Sequence, residues 1–499
     1  FTVAATAGAS FTKEVTHGTY LNAEGDQYYE VDVTDANGIT YKMPQGNVYF
    51  PNIFHRDNYY DIYYQENYTK KRLNSVFGTL QLGYKDMVYL DLTARNDWSS
   101  ALAFTESMSF FYPSVGATFL LDEMFHMNDD LFDMVKLRAS YSVVGNDIPA
   151  YYSRPVATLS KLTITLPTVM PFTDWKPEKT FSIEAGFDLA MLHNRLRTEF
   201  TFYKANTKNQ YFQVSAPVAS GYSKRNINAG NVENLGIEAS VSYRLDFNHD
   251  WSWTPGINFS YNKNEIKELC PGLEEYNLAE ASAFIMKLKK GGSYGDIYTY
   301  DFQYDDNGNI KLDNTGAPLL TSDADTYAGN FNSKFHLGWS NTINWKNLNI
   351  YALVDGKIGG KVLSMTEAIM DGYGVSKATG DARLNGGVPN KDGSMIDAEK
   401  YYSRVGGRAQ NAGFNAMEYM YSATNFRLRE LSVGYTFENL FGMNKNLTAS
   451  VVGRNLFFLY KKSPCDPDIS GSTGNGWQGI DVFSLPATRS WGLNLKLNF

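Results

Sequence analysis

Apolar and polar residues alternate one for one through long stretches of this chain, and that constrains its fold more than any other feature. From Leu235 to Phe247 the apolar set is Leu235, Ile237, Ala239, Val241, Tyr243, Leu245 and Phe247; between them lie Gly236, Glu238, Ser240, Ser242, Arg244 and Asp246. A helix would scatter the first set around its circumference, whereas a strand collects it on one face. Trp251, Trp253, Pro255, Ile257, Phe259 and Tyr261 alternate in the same way, and so do Phe335, Leu337, Trp339, Ile343 and Trp345. About fourteen such segments can be counted. They centre near residues 1–12, 72–84, 87–98, 110–121, 135–145, 178–192, 195–213, 232–247, 251–266, 333–345, 348–362, 424–437, 447–459 and 486–499. An abundance of aromatics, 35 Tyr and 31 Phe, fits an all-β chain.

The connections sort into two kinds. The short ones are residues 85–86, 122–134, 193–194, 248–250, 346–347 and 438–446. The long ones are 13–71, 99–109, 146–177, 214–231, 267–332, 363–423 and 460–485. A soluble sandwich has no reason to collect its long loops at one end, but an outer-membrane barrel does so, with short periplasmic turns and long external loops. Apolar runs are brief; Val115–Leu121 is already interrupted by Gly116 and Thr118. A membrane helix needs about 20 mostly apolar residues, so no helix is expected to span a bilayer here. Backbone polar groups cannot face lipid unpaired, so strands that span must close into a barrel. An Arg facing lipid at the midplane costs about 2–4 kcal/mol. Arg138, Arg197, Glu238 and Arg244 are therefore expected to face the lumen. Trp251, Trp253, Trp345 and Trp491 sit near strand ends, where an aromatic girdle belongs.

Other classes find little support. The net charge of −8 argues against a nucleic-acid partner. Cys270 and Cys465 make neither a disulfide framework nor a zinc site. The six histidines form no metal-binding pattern, and Gly356–Lys361 lacks the residues that complete a phosphate loop. No catalytic residue, metal or cofactor is expected. Asp305-Asp306-Asn307-Gly308-Asn309 invites a calcium reading, but Asn307-Gly308 between Tyr304 and Ile310 is a hairpin turn signal. Asp35-Ala36-Asn37-Gly38 is similar, so the long loops should carry small sheets of their own. Asp466-Pro467-Asp468 could bind a cation or be a solvated turn. In the loop 380–421, Tyr401, Tyr402, Arg404, Arg408, Asn411 and Asn415 offer aromatic faces and planar polar groups suited to a sugar or a peptide. A loop folded on itself, or docked on a partner, would use the same residues.

The chain begins at Phe1 without a basic or apolar leader, so any export signal is expected outside this sequence. It ends in Trp491, Leu493, Leu495, Leu497 and Phe499 alternating with polar or small residues. A last strand closing on Phe499 resembles the signal read by the outer-membrane barrel assembly machinery; an ordinary edge strand would look alike.

Several blocks, in order, resemble the SusC-like TonB-dependent transporters of Bacteroidetes outer membranes. They include "RNDWSSALAF", "SFFYPSVGATFLLDEMF", "VKLRASYSVVGND", "GNVENLGIEASVSYRL", "NFRLRELSVGYTF", "VVGRNLFFLY" and "LPATRSWGLNLKLNF". The resemblance runs from about residue 72 to Phe499. It implies a transmembrane antiparallel barrel of about 22 strands, so about eight strands, the plug and the TonB-contacting segment would lie outside this sequence. Residues 1–499 would then be the C-terminal part of the barrel. The implied function is active import of oligosaccharides, or alternatively oligopeptides, in the outer membrane of a Gram-negative bacterium. A SusD-like surface lipoprotein would cap the loops, and TonB–ExbB–ExbD would act through the plug. Pairing of two transporter–lid units stays open. A passive porin-like or fatty-acid channel, in which the visible strands close by themselves, and an outer-membrane hydrolase built on a barrel are the readings from other classes.

Overall fold

The computed structural model describes residues 1–24, 29–34, 38, 40–45, 61–128, 130–153, 158–160, 163–170, 174–216, 218–270, 272–281, 284–406, 415–439, 445–468 and 478–498. One antiparallel meander dominates it. Its strands are β1 (Thr2–Glu24), β2 (Asp61–Tyr84), β3 (Val88–Ser99), β4 (Ser109–Leu120), β5 (Phe132–Asn146), β6 (Glu178–Met191) and β7 (Leu196–Ser215). They continue as β8 (Lys224–Tyr243), β9 (Trp251–Glu268), β10 (Phe335–Trp345), β11 (Leu348–Ile358), β12 (Asn425–Phe437), β13 (Asn446–Lys461) and β14 (Ser490–Asn498). Each pairs with the next in chain order. Two short strands, Val169–Met170 and Leu245–Asn248, pair at its margins.

Register turns the alternation of each strand into continuous bands. Leu137, Phe187, Phe200, Ala239, Phe259 and Leu337 are successive cross-strand partners from β5 to β10. Val241, Ile257, Trp339 and Val354 form another such row. Leu137, Phe187, Val241, Ile257 and Trp339 are all exposed. Water would not tolerate an apolar wall of this extent, whereas hydrocarbon requires it. The backbone is satisfied by the ladder. One outward polar side chain, Asn341, accepts a hydrogen bond from Trp253 Nε1 at 3.1 Å. Trp251 is paired directly with Trp345 at the short-turn end.

The lengths of four strands, and the content of one connection, differ from expectation. β1 and β2 pair without interruption out to Glu24 and Asp61, so the first long connection is 25–60 and not 13–71. The added rungs join polar partners, such as Lys13 with Arg72 and Glu14 with Lys71. Strand beyond the bilayer has water on both faces, so nothing there enforces alternation. β7 and β8 likewise extend toward each other, which shortens the connection 214–231 to residues 216–223. The connection 122–134 begins with a helix, α1 (Leu121–Phe125), which ends at His126 with φ of 48°.

β1 and β14 each have one neighbour in the sheet, and no pairing joins them among the described residues. The fourteen strands leave two open edges, so the reading of a channel closed by these strands alone does not hold. Phe499 lies outside the described residues.

The long connections fold together at the other end. Glu275–Glu280, Ile285–Lys289, Asp296–Thr299 and Thr326–Asn330 form a four-stranded sheet; Lys361–Ser364, Met420–Ser422 and Ile480–Asp481 form a three-stranded one. Three helices follow the strand at Lys361: α2 (Met365–Gly372), α3 (Lys377–Leu384) and α4 (Ala398–Val405). Phe284, Ile297, Phe302, Leu363, Val405 and Ile480, drawn from three connections, share one buried core. A transmembrane sheet has little core of its own, so this external unit holds the chain's main packed interior. Gly372 and Gly406 let α2 and α4 touch: a Cβ on Gly406 would strike the Ala368 carbonyl and the Gly372 amide.

Candidate functional site

Opposite the apolar face runs a polar one. Thr118, Arg138, Gly186, Thr201, Glu238, Ser260, His336 and Lys357 form a single rung across β4 to β11. Arg138 donates from Nη2 to Thr201 Oγ1 at 2.6 Å and pairs with Asp188 at 3.3 Å, which Lys136 also meets at 2.7 Å. Arg197, four residues before Thr201, shares this face by strand alternation and donates to Asn194 Oδ1 at 3.3 Å. Arg244 lies past the end of β8, paired with Asp246 at 2.9 Å on the short-turn rim. It belongs to the rim and not to the wall.

The external unit overhangs this polar face and encloses a cleft of about 1390 Å³. The wall contributes Tyr203, Glu238, Asn262, His336 and Lys357; the loops contribute Tyr294, Asp296, Tyr327 and Asn330. Hydrogen bonds order both sides of the cleft, and Asn264 joins wall to loop. Asn264 Oδ1 accepts from the Tyr294 amide at 2.7 Å, and Asn264 Nδ2 donates to Asn234 at 3.0 Å. Asn330 donates to Asp296 Oδ1 at 2.8 Å, and Tyr203 donates to Asn262 Oδ1 at 3.2 Å. Burial, with Asp296 beside it, pushes the Tyr327 phenol up to about 12. It therefore stays a hydrogen-bond donor at neutral pH. A cleft of tyrosine faces, amides and charges of both signs can hold a polar oligomer by stacking and hydrogen bonding.

The aromatic loop residues do not line this cleft. Tyr401 is buried in the loop core, its ring 5.7 Å from Phe302 and 5.2 Å from Tyr402. Burial raises its phenol well above the ordinary range. A buried ring has no face left for a sugar, which corrects the expectation for Tyr401; Tyr402 is half-buried beside it. Arg404 pairs with Asp313 at 3.3 Å. Asn415, 1% exposed, accepts from the Met417 amide at 2.9 Å. Arg408 and Asn411 lie outside the described residues. The sequence pattern fits core and ligand site equally, because both recruit aromatics.

Asp466-Pro467-Asp468 is neither a cation site nor a solvated turn. Arg427 pairs with Asp466, and Asp468 is met by Lys357 at 2.6 Å and Arg429 at 3.0 Å. Burial opposes the charge of Asp468, yet Lys357 and Arg429 hold its carboxyl below the ordinary range. This clamp fastens the last long connection to the inner wall. Asp305 accepts from the amides of Asn307 at 2.9 Å and Asn309 at 2.8 Å, and Gly308 has φ of 82°, so that segment is the expected hairpin turn. The turn at Asp35 falls largely outside the described residues. Cys270 and Cys465 are each partly buried, and no disulfide joins them.

Residues 2–359 match the family model for the TonB dependent receptor-like β-barrel, well over half of the chain. This protein belongs to that family. The barrel domain of a TonB-dependent receptor lies in the outer membrane, and no helix among the described residues is long and apolar enough to cross one. The TonB-dependent receptor P3 of Formosa agariphila is 25% identical over 86% of this chain and 45% of its own length. The TonB-dependent receptor SusC of Bacteroides thetaiotaomicron is 23% identical over 86% of this chain and 44% of its own length. The chain thus spans about half the length of the relatives it matches. Among solved structures, the RagAB peptide importer in its open-open state has a TM-score of 0.73 at 19% identity, covering 100% of this chain and 53% of that one. That likeness establishes the fold of this TonB-dependent receptor. The cleft residues Tyr203, Asn262 and His336 escaped sequence reading because each also reads as an ordinary inward strand position.

Proposed function

We propose that this chain supplies much of the wall and the external loops of a SusC-type TonB-dependent importer of oligosaccharides. The observation that carries this reading is the cleft of about 1390 Å³ between the polar wall and the folded loops. Tyr203, Tyr294 and Tyr327 offer faces for sugar rings, and Asn262 and Asn330 offer planar amides for hydroxyls. The open edges of β1 and β14 would be filled by further strands of a longer polypeptide, making residues 1–499 the C-terminal part of the barrel. A plug outside this sequence would couple transport to TonB–ExbB–ExbD. A SusD-like lipoprotein would cap the loops, and transporter–lid units could pair. Transport makes no covalent change in its cargo, so no enzymatic step is assigned.

A second reading, oligopeptide import, is favoured by Glu238, Asp296 and Lys357 facing one cleft. Opposite charges suit the termini and side chains of peptides. Calorimetric titration of the full transporter with neutral oligosaccharides and with mixed peptides tests both. Saccharide binding weakened about two- to ten-fold by Tyr203→Ala or Asn262→Ala is expected, the range of one or two hydrogen bonds. Peptide binding alone, weakened by the same variants, would replace the first reading with the second.

A further inference from the structure

On the outward face of β6 to β9, lysines enter at one height: Lys204 on β7 and Lys263 on β9 stand in the last apolar row, beside Ile183 on β6 and Leu235 on β8. On β9, Tyr261 lies ten residue steps beyond Trp251. At about 3.3 Å per residue, and with the usual strand tilt, this spans about 25 Å of bilayer, the height of a barrel's apolar band. Tyr261 packs on Phe335 with ring centroids 5.2 Å apart, which marks the upper girdle. The next outward residue is Lys263, and its row continues through Leu235 to Lys204.

Above that line lysines gather. Lys204 meets Glu233 at 2.9 Å, Lys263 meets Glu265 at 2.9 Å, and Lys267 meets Glu265 at 2.7 Å and Glu233 at 3.3 Å. Further out, Lys179 and Lys208 are direct cross-strand partners, and no carboxylate pairs with either among the described residues. Lys208 lies over the Phe181 ring at 5.7 Å. Like charges placed opposite each other destabilise a sheet unless an anion sits between them. The chain as a whole is acidic, yet here five lysines face two glutamates. The glutamates hold lysines in position without neutralising the patch.

We propose that this patch binds the phosphate groups of the phosphorylated glycolipid in the outer leaflet, the lipid whose headgroups lie at this height. The acyl chains would lie on the apolar rows below, and the phosphates would bridge Lys179, Lys208, Lys204 and Lys263. The lipid, and not free phosphate, is the ligand because apolar side chains, Ile183 and Leu235, stand in the row of Lys204 and Lys263 and continue beneath it. The patch faces away from the lumen, so the proposal does not depend on which cargo is imported.

The test is native mass spectrometry of the full transporter in detergent, with phosphorylated lipid A, dephosphorylated lipid A and inorganic phosphate as separate probes. Wild type and the triple variants Lys204→Gln/Lys208→Gln/Lys263→Gln and Lys204→Arg/Lys208→Arg/Lys263→Arg would be compared. At roughly five-fold per lysine, the Gln variant should bind phosphorylated lipid A about a hundred-fold more weakly. The Arg variant should bind as wild type, which separates lost charge from lost fold. Equal binding by the Gln variant would overturn the proposal. So would equal binding of dephosphorylated lipid A to wild type, or inorganic phosphate binding as tightly as the lipid. A Gln variant that splits a dimer and leaves lipid binding unchanged would make the patch a contact between copies and overturn it too.

Discussion

Arg427 is buried against Asp466, 39 residues further along the chain, with its guanidinium carbon 3.9 Å above the Phe458 ring. The ion pair carries the last long connection back onto the wall from which Arg427 projects. Removing one partner of a buried pair leaves the other charge without compensation, which costs about 3–5 kcal/mol. Arg427→Ala should therefore free the segment around 462–468 while the barrel still inserts. Limited proteolysis of outer membranes should show new cleavage there, and Arg427→Met/Asp466→Leu should restore most of the protection. Unchanged cleavage in Arg427→Ala would mean the pair holds nothing.

The same clamp should weaken in acid. The carboxyl of Asp468 sits below its ordinary range in the folded protein, and in the unfolded chain it returns to about 3.9. A depressed carboxyl contributes stability above the unfolded value and loses it as pH falls through the folded one. Protection of the segment should be flat from neutral pH down to about 4 and decline below that. Hydrogen exchange of the segment, corrected for the intrinsic pH dependence of exchange, measures it across that window. Asp468→Asn should lack the acid-dependent step and be weakly protected throughout.

How legible all this was depends on what holds each part. Leu235–Phe247 could be read as a strand because lipid on one face and water on the other impose the alternation. The outer reach of β1, from Lys13 to Thr19, has water on both sides and leaves no periodic trace. Glu238 and Arg138 were placed by elimination, since a charge has nowhere else to go in a spanning strand. Tyr401 was not, because a loop core and a sugar platform recruit the same side chain. The pairing of Arg427 with Asp466 is non-local, and no spacing rule links residues so far apart.

Helix packing in the external unit should be intolerant of a single methyl group. A Cβ at position 406 collides with backbone atoms of Ala368 and Gly372, and backbone cannot rotate away as a side chain can. Overpacking of this kind costs about 1–3 kcal/mol. Gly406→Ala should lower the unfolding temperature of the loops, followed by protease sensitivity of residues 365–405, without altering membrane insertion. Gly386→Ala, whose Cβ would meet open space but whose φ is 82°, is the control for backbone strain without a clash.

The sharpest test of the membrane assignment compares neighbours that face opposite ways. Ile257 points outward between Val241 and Trp339 and is 51% exposed, near the middle of the apolar span of β9. Asn258, the next residue, pairs with Ser240 and Gly338 on the polar face. Arg at 257 would lie in hydrocarbon at a cost of about 2–4 kcal/mol, while Arg at 258 would stay hydrated in the lumen. Ile257→Arg should reduce assembled, heat-modifiable barrel in outer-membrane fractions several-fold, and Asn258→Arg should leave it near wild type. Equal assembly of the two variants would mean that hydrocarbon does not cover the face carrying Val241, Ile257 and Trp339.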